Sequence, residues 1–207
     1  MDLEKPAELR LKSGRDERLR AGHLWVYEGE IAEGPKGIEP GGVVDVLDAR
    51  GRFLGRGYYN PTSQIAVRLL TRRREAVNAD FFRRRLEAAF AHRRKSCPGL
   101  TALRLVYGEA DLLPGLIVDR YGDYLVVQFL TMGMEARRPL LLDLLVDLLR
   151  PRGIRERSAG TGRRNEGLPP REETVHGEVP DEIQIQEGNL RYLVDLRGGQ
   201  KTGHFLD

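Results

Sequence analysis

Two glycine-bearing segments have residue types that suit a phosphate or a cofactor. Gly198–Gly203, GGQKTG, sets glycines beside the Lys201–Thr202 pair. A phosphate loop needs G-x-x-x-x-G-K-[ST] opening a helix whose amides hold the phosphates. Here Gln200 precedes Lys201, Asp195 stands where the first glycine should be, and the HFLD that follows is too short to show a helix. A nucleotide-phosphate role is therefore discounted. Ser158–Gly167, SAGTGRRNEG, follows an expected strand and carries half of a dinucleotide or S-adenosylmethionine fingerprint. That fingerprint must run on into a helix, and Asn165, Gly167, Pro169 and Pro170 argue against one. A glycine-bearing loop is expected instead.

Metal and nucleophile chemistry finds little support. His23, His92, His176 and His204 are far apart, and none has a neighbour at ligand spacing. The single cysteine, Cys97, precedes Pro98 at a helix end. With no base or cofactor beside it, an incidental thiol is expected.

Charge is the stronger signal. Between Arg68 and Lys95 ten basic residues face only Glu75, Asp80 and Glu87, a local charge of +7 in a chain whose net charge is +3. A basic field this concentrated suits a polyanion, RNA or DNA; the plain alternative is a solvated charged surface.

The elements that must position these residues change character along the chain. Up to about Thr71 it reads as strands: GGVVDVLDARGRFLGRGYYN has two apolar runs about Gly51, QIAVRLLT is a third, and Trp25–Tyr27 lie in a fourth. A small barrel is expected. Asn78 is an N-cap for a helix to about Lys95, with Phe82, Leu86, Ala89 and Phe90 on one face and Arg83, Arg84, Arg94 and Lys95 on the opposite half. LRLVYG, GLIVDRYG and YLVVQFL read as strands, Pro139–Arg150 as a helix, GIRERS as a strand, Gly160–Pro180 as a loop, and EIQIQEGNLRYLVDL as a hairpin.

Composition sets the outer limits. With 40% hydrophobic and 31% charged residues, the chain is expected to fold rather than stay disordered. Its most apolar run, Leu140–Leu149, is broken by Asp143 and Asp147, and the N-terminus lacks the apolar core of a signal peptide. One cysteine excludes an internal disulfide, and a cytoplasmic location is expected.

Taken in order, LKSGRDERLRAGHLWVYEGEI, VLDARGRFLGRGYYNPTSQIAVRLLT, NADFFRRRLEAA, RLVYGEADLLPGLIVDRYGDYLVVQ, RRNEGL and VDLRGGQKTGHFLD resemble one family. They look like the N-terminal half of the PUA-domain ribosomal RNA methyltransferases, S-adenosylmethionine-dependent enzymes that make 5-methylcytosine in large-subunit ribosomal RNA. The resemblance implies an α+β chain: a PUA-like RNA-binding barrel over residues 1–73, a small mixed α/β domain over 74–195, and a lead-in over 196–207. The family's Rossmann-like methyltransferase domain and its catalytic cysteine are expected to be absent.

On that basis two readings stand. The chain is the truncated RNA-recognition half of a cytosine-C5 methyltransferase, binding RNA but transferring no methyl group alone; or it is a self-sufficient, non-catalytic RNA-binding adaptor. S-adenosylmethionine belongs to the full-length family, and no cofactor is expected here. The partner is RNA, of the large subunit; no membrane is involved, and a homodimer is admitted although no apolar strip argues for it. RNA contacts are expected from Lys12, Arg15, His23, Arg72, Arg73, Arg83, Arg84, Arg94 and Lys95. Lys201, Thr202 and Asp207 match the family's K-T-G-x-x-x-D segment and are expected to line the cleft of a full-length enzyme. Trp25 is expected in the core rather than as a base-stacking platform. No catalytic or metal-binding residue is expected.

Overall fold

The computed structural model describes residues 6–187, 189–199 and 206. Its first layer is a six-stranded sheet made of β1 (Ala7–Leu11), β2 (Trp25–Val26), β3 (Ile31–Glu33), β4 (Val43–Leu47), β5 (Phe53–Tyr59) and β6 (Val67–Thr71), with the short helix α1 (Glu17–Arg20) between β1 and β2. The strand order is β2–β6–β5–β4–β1–β3. β1 and β4 run parallel and the other pairs antiparallel. Leu9, Leu11, Val44, Val46, Val67 and Leu69 form its core, branched side chains that suit a pleated buried face.

Helix α2 (Ala79–Ser96) follows. Asn78 caps it, its side chain accepting the Phe81 N–H at 3.0 Å. Phe81, Phe82, Leu86, Ala89 and Phe90 are buried, the spacing of one helical face.

The second sheet has the order β11–β10–β9–β8–β7, built from β7 (Ala102–Tyr107), β8 (Leu116–Tyr121), β9 (Tyr124–Phe129), β10 (Gly153–Ser158) and β11 (Arg171–Gly177). β9 and β10 are parallel, so the chain must cross over between them. α3 (Met132–Glu135) and α4 (Arg138–Leu149) make that crossover, and α4 packs beside α2 on one face of the sheet. Leu141, Leu144 and Leu145 of α4 join Phe82, Leu86, Val127 and Ile154 in the larger core. The hairpin β12 (Glu182–Glu187) and β13 (Leu190–Asp195) covers the other face through Ile185 and Val194, which meet Tyr121 and Val126.

Two expectations are corrected by this architecture. The expected α+β class did not include a parallel strand–helix–strand crossover within the sheet, which β9, α4 and β10 supply. The expected loop over Gly160–Pro180 is instead helix α5 (Thr161–Asn165) and strand β11. Gly160 takes φ +100°, a conformation open to glycine, and turns the chain into α5. The prolines at 169 and 170 follow that helix rather than interrupt it, and β11 gains its ladder from β10.

The two sheets are locked together by buried groups. Glu166, 1% exposed, accepts hydrogen bonds from Asn60 Nδ2 (2.9 Å), Ser63 Oγ (2.8 Å) and Arg68 Nη2 (2.9 Å) on the first sheet's side, and from Met132 N (3.2 Å) on the second's. Tyr58 donates its hydroxyl to Pro114 O at 2.6 Å and lies 2.9 Å from Thr131 Oγ1; burial pushes its phenol above the ordinary tyrosine range. A Cβ added to Gly133 would come within 2.0–2.3 Å of the Tyr58 ring, so only glycine allows this contact. Arg137 donates to Gly41 O and Gly133 O, both at 2.8 Å, and burial lowers its pKa from the ordinary arginine value.

Candidate nucleic-acid interface

The C-terminal end of β6 and the first turns of α2 enclose a cleft of about 440 Å³. β6 brings Leu69, Leu70 and Thr71 to it and then releases Arg72 and Arg73. Thr71 Oγ1 shapes that exit: it donates to Glu75 Oε1 at 2.7 Å and accepts Arg73 N–H at 3.1 Å. α2 contributes Phe81, Arg84, Arg85 and Ala88. The floor, with Leu24, Leu70, Phe81 and Leu112, is apolar, and four arginines and Glu75 form the rim.

Each rim cation is placed differently. Arg72 donates to His23 O at 3.0 Å, and Arg84 pairs with Glu75 at 2.9 Å. Arg85 donates to Leu70 O at 3.1 Å, with its guanidinium 5.2 Å from the centre of the Phe81 ring. Burial lowers the Arg85 pKa against the pull of Glu75, and the charges of Arg84 and Arg73 push the same way as burial. Arg85 is thus a cation crowded by cations, an arrangement that a phosphate relieves.

Of the residues expected to meet RNA, Arg72, Arg73 and Arg84 line this cleft, and His23 lends it a main-chain carbonyl. Arg83 points away and pairs with Asp147 of α4 at 2.8 Å. Arg94 lines a second cleft, of about 530 Å³, near the end of α2, and Lys95 is exposed nearby in the chain. Lys12 donates to Gly29 O at 2.8 Å and Arg15 is exposed; neither lines the cleft. Lys201, Thr202 and Asp207 lie outside the described residues. Arg85 was missed, although it follows Phe81 by four residues, the spacing that stacks one side chain over another on a helix.

The basic run is less bare than its sequence suggests. Arg68, Arg74, Arg83, Arg84 and Arg93 pair with Glu166, Asp45, Asp147, Glu75 and Asp111. Among the described residues, Arg72, Arg73, Arg85, Arg94 and Lys95 have no such carboxylate partner, and three of these five line the cleft. Trp25 is half-buried rather than fully in the core. Its indole N–H donates to Glu109 Oε1 at 2.9 Å, and Arg68 lies 5.9 Å from its ring centre.

Among the described residues, no group of three or more His, Cys, Asp or Glu side chains could hold a metal ion. The β10–Gly160–α5 segment has the strand–glycine–helix order of a donor-binding loop, but its geometry does not fit one. α5 has only five residues, short of the helix that such a loop opens onto. Arg163 turns inward to Glu135 at 2.8 Å and to Phe129 O. No described helix is long and apolar enough to cross a membrane.

Comparison with known proteins places these features. Residues 9–72 match the model of a PUA-like domain. The chain is 42% identical over 202 residues to ribosomal RNA large subunit methyltransferase I of Tolumonas auensis, covering 95% of this chain and 51% of that protein. It is 38% identical over 201 residues to the protein of the same name from Klebsiella pneumoniae, covering 95% of this chain and 50% of that protein. The chain therefore spans about half the length of the curated relatives it matches, and it is homologous to them over nearly all of its own length. A putative SAM-dependent methyltransferase from Streptococcus mutans aligns with a TM-score of 0.80 at 21% identity, over 97% of this chain and 51% of that one. A putative methyltransferase solved in complex with SAH aligns with the same score and coverage.

These findings correct three expectations. Nearly the whole chain has a fold found within solved methyltransferase chains, so a fold class that set methyltransferase architecture aside does not hold. Neither the recognition half that transfers no methyl group nor the adaptor stands as expected, because 95–97% of this chain aligns within proteins named as methyltransferases or putative methyltransferases, over about half of their length. Against the expectation of no cofactor, one of the aligned structures is itself a complex with SAH. Two failed glycine fingerprints spoke only for their own segments, and a ligand site assembled from distant residues leaves no such local mark.

Proposed function

We propose that this chain serves an S-adenosylmethionine-dependent methyltransferase that acts on large-subunit ribosomal RNA, with cytosine C5 as the methylated position and the cytoplasm as its setting. The observation that carries this reading is the arginine-rimmed, apolar-floored cleft between β6 and α2, beside the PUA-like segment. Its relatives' names support the substrate class.

In this reading Arg72 and Arg73 meet phosphates at the rim, and the apolar floor receives an unstacked base, a common mode of RNA recognition. Arg85, fixed over Phe81, adds a third charge without a flexible search. Lys12, Arg15, His23, Arg94 and Lys95 extend the RNA track beyond the cleft. The division into residues 1–73 and 74–195 belongs to the same reading. S-adenosylmethionine supplies the methyl group when bound, and no described residue is assigned to hold it.

The test is single-stranded RNA binding across a salt series. Each phosphate contact contributes about −0.7 to the slope of log K against log salt. Replacing both Arg72 and Arg73 with glutamine is expected to flatten the slope by about 1.4, two contacts of about 0.7 each. An unchanged slope moves the RNA off this cleft. Labelled S-adenosylmethionine and unmodified large-subunit RNA test the chemistry; label recovered in a nucleoside other than cytidine overturns the C5 assignment.

A further inference from the structure

A further cavity, of about 300 Å³, opens where α2 ends against β7 and the β12–β13 hairpin. Its buried lining is apolar, from Leu103 and Ile185, and His92 and Ser96 of α2 border it with side chains that can donate and accept hydrogen bonds. Among the described residues four large hydrophobic side chains remain exposed, and two of them, Leu100 (46%) and Tyr107 (47%), line this cavity. Single exposed apolar groups are ordinary, but exposed groups gathered at a cavity mark a binding surface.

Tyr107 is held in place. Arg104 lies over one face of its ring, 4.9 Å from the centre, and is itself tied to Asp119 at 2.8 and 3.1 Å. Asp111 accepts the Tyr107 main-chain N–H at 2.6 Å and pairs with Arg93 of α2. With Arg104 on one face, the exposure belongs to the rest of the ring, a preset platform for another flat group.

Two elements join this cavity to the arginine-rimmed cleft. On α2, Phe81, Arg84, Arg85 and Ala88 line the cleft, and His92 and Ser96 line the cavity. These positions recur every three or four residues and so share one stripe of the helix, on which exposed Lys95 also falls. The segment from Tyr107 to Leu112 makes the same passage: Tyr107 lines the cavity and Leu112 the cleft. The acidic Glu87 of α2 faces elsewhere, lining the cleft that holds Arg94. At about 1.5 Å per residue, α2 sets Arg85 and Ser96 roughly 16 Å apart. That is the length of about five stacked nucleotides at about 3.4 Å each, or of fewer extended ones.

We propose that the Tyr107 cavity receives a second unstacked RNA base, several nucleotides along the strand from the base in the arginine-rimmed cleft. This deepens the RNA reading above and rests on it. Two apolar openings with the cations of Arg85 and Lys95 on the stripe between and beside them match a nucleic-acid strand, in which flat bases alternate with charged phosphates.

The probe is single-stranded RNA just long enough to span both openings, about six to eight nucleotides. Tyr107→Ala is expected to weaken its binding about tenfold, the loss of one base stack, and to leave the salt slope unchanged because no phosphate contact is removed. Tyr107→Phe, which keeps the ring, is expected to bind as the wild type does. A single abasic nucleotide is then moved along the RNA. Two separated positions are expected to cost the wild type affinity, and only one of them should still cost Tyr107→Ala affinity. Should the alanine variant not fold, the abasic series on the wild type decides. Wild-type affinity in Tyr107→Ala, or one sensitive position in the wild type, overturns the second base seat and leaves the cleft reading standing. A change of oligomeric state in Tyr107→Ala, seen by sedimentation, gives the cavity to a second copy of the chain and overturns the seat as well. Failure of the function proposed above reads differently: a salt slope indifferent to the Arg72 and Arg73 replacements takes the RNA off the cleft, and with it the strand that this seat requires.

Discussion

Arg68 on β6 and Glu166 after α5 lie 98 residues apart in sequence and 2.9 Å apart in the fold. The carboxylate is 1% exposed, and its other acceptor bonds come from Asn60, Ser63 and Met132. A buried charge with this many partners holds the PUA-like segment at a set position on the second sheet. Removing one partner leaves the other charge stranded, and that loss is about 3–5 kcal/mol for buried pairs. Glu166→Ala is expected to lower unfolding stability in urea by that order. A loss below about 1 kcal/mol, the value of a surface pair, would mean that the node does not lock the sheets.

Gly133 on α3 touches the Tyr58 ring so closely that no side chain fits between them. Gly133→Ala is expected to cost about 1–3 kcal/mol by overpacking, in spite of alanine's better helix propensity. Thermal unfolding measures it; a stabilised variant would show that the α3–β5 contact is loose.

Asp48 provides a pH signature. Burial pushes its carboxyl up, but the Arg52 N–H, the Arg52 side chain and the Arg50 N–H outweigh it and hold the pKa at about 2, below the ordinary 3.8. A carboxyl depressed on folding adds stability that is complete above its unfolded value and lost as pH falls through the folded one. Stability is therefore expected to drop between pH 3.8 and about 2, and Asp48→Asn, which keeps an oxygen for both N–H groups, should flatten that part of the curve. Urea midpoints across this range give the comparison, and parallel curves would refute it.

Two arginines of the basic run should behave differently toward RNA. Arg83 pairs with Asp147 away from the cleft, whereas Arg72 borders the cleft and, among the described residues, donates to a main-chain oxygen and has no carboxylate partner. Arg83→Gln is expected to leave the salt slope of RNA binding unchanged, and Arg72→Gln to reduce it by about 0.7. Equal effects would point to a diffuse field over α2 rather than a defined cleft.

The local elements were legible in the sequence. A helix from Asn78 to about Lys95 is found as Ala79–Ser96 under the same cap, and the hairpin about Glu187-Gly188-Asn189 appears as β12 and β13. Caps, turns and periodicity are set by residues a few positions apart, so the local chain carries them. The tertiary structure alone decided which arginines keep their charge open. Arg68 and Arg72 look alike within one basic run, yet one is spent on Glu166 and the other reaches a cleft. Likewise, Gly160–Pro180 reads as a loop because its strand has no apolar alternation of its own; β11 exists because β10 offers an edge to pair with. Pairing of charges and addition of edge strands depend on groups brought together from distant parts of the chain, and no window of sequence contains both partners.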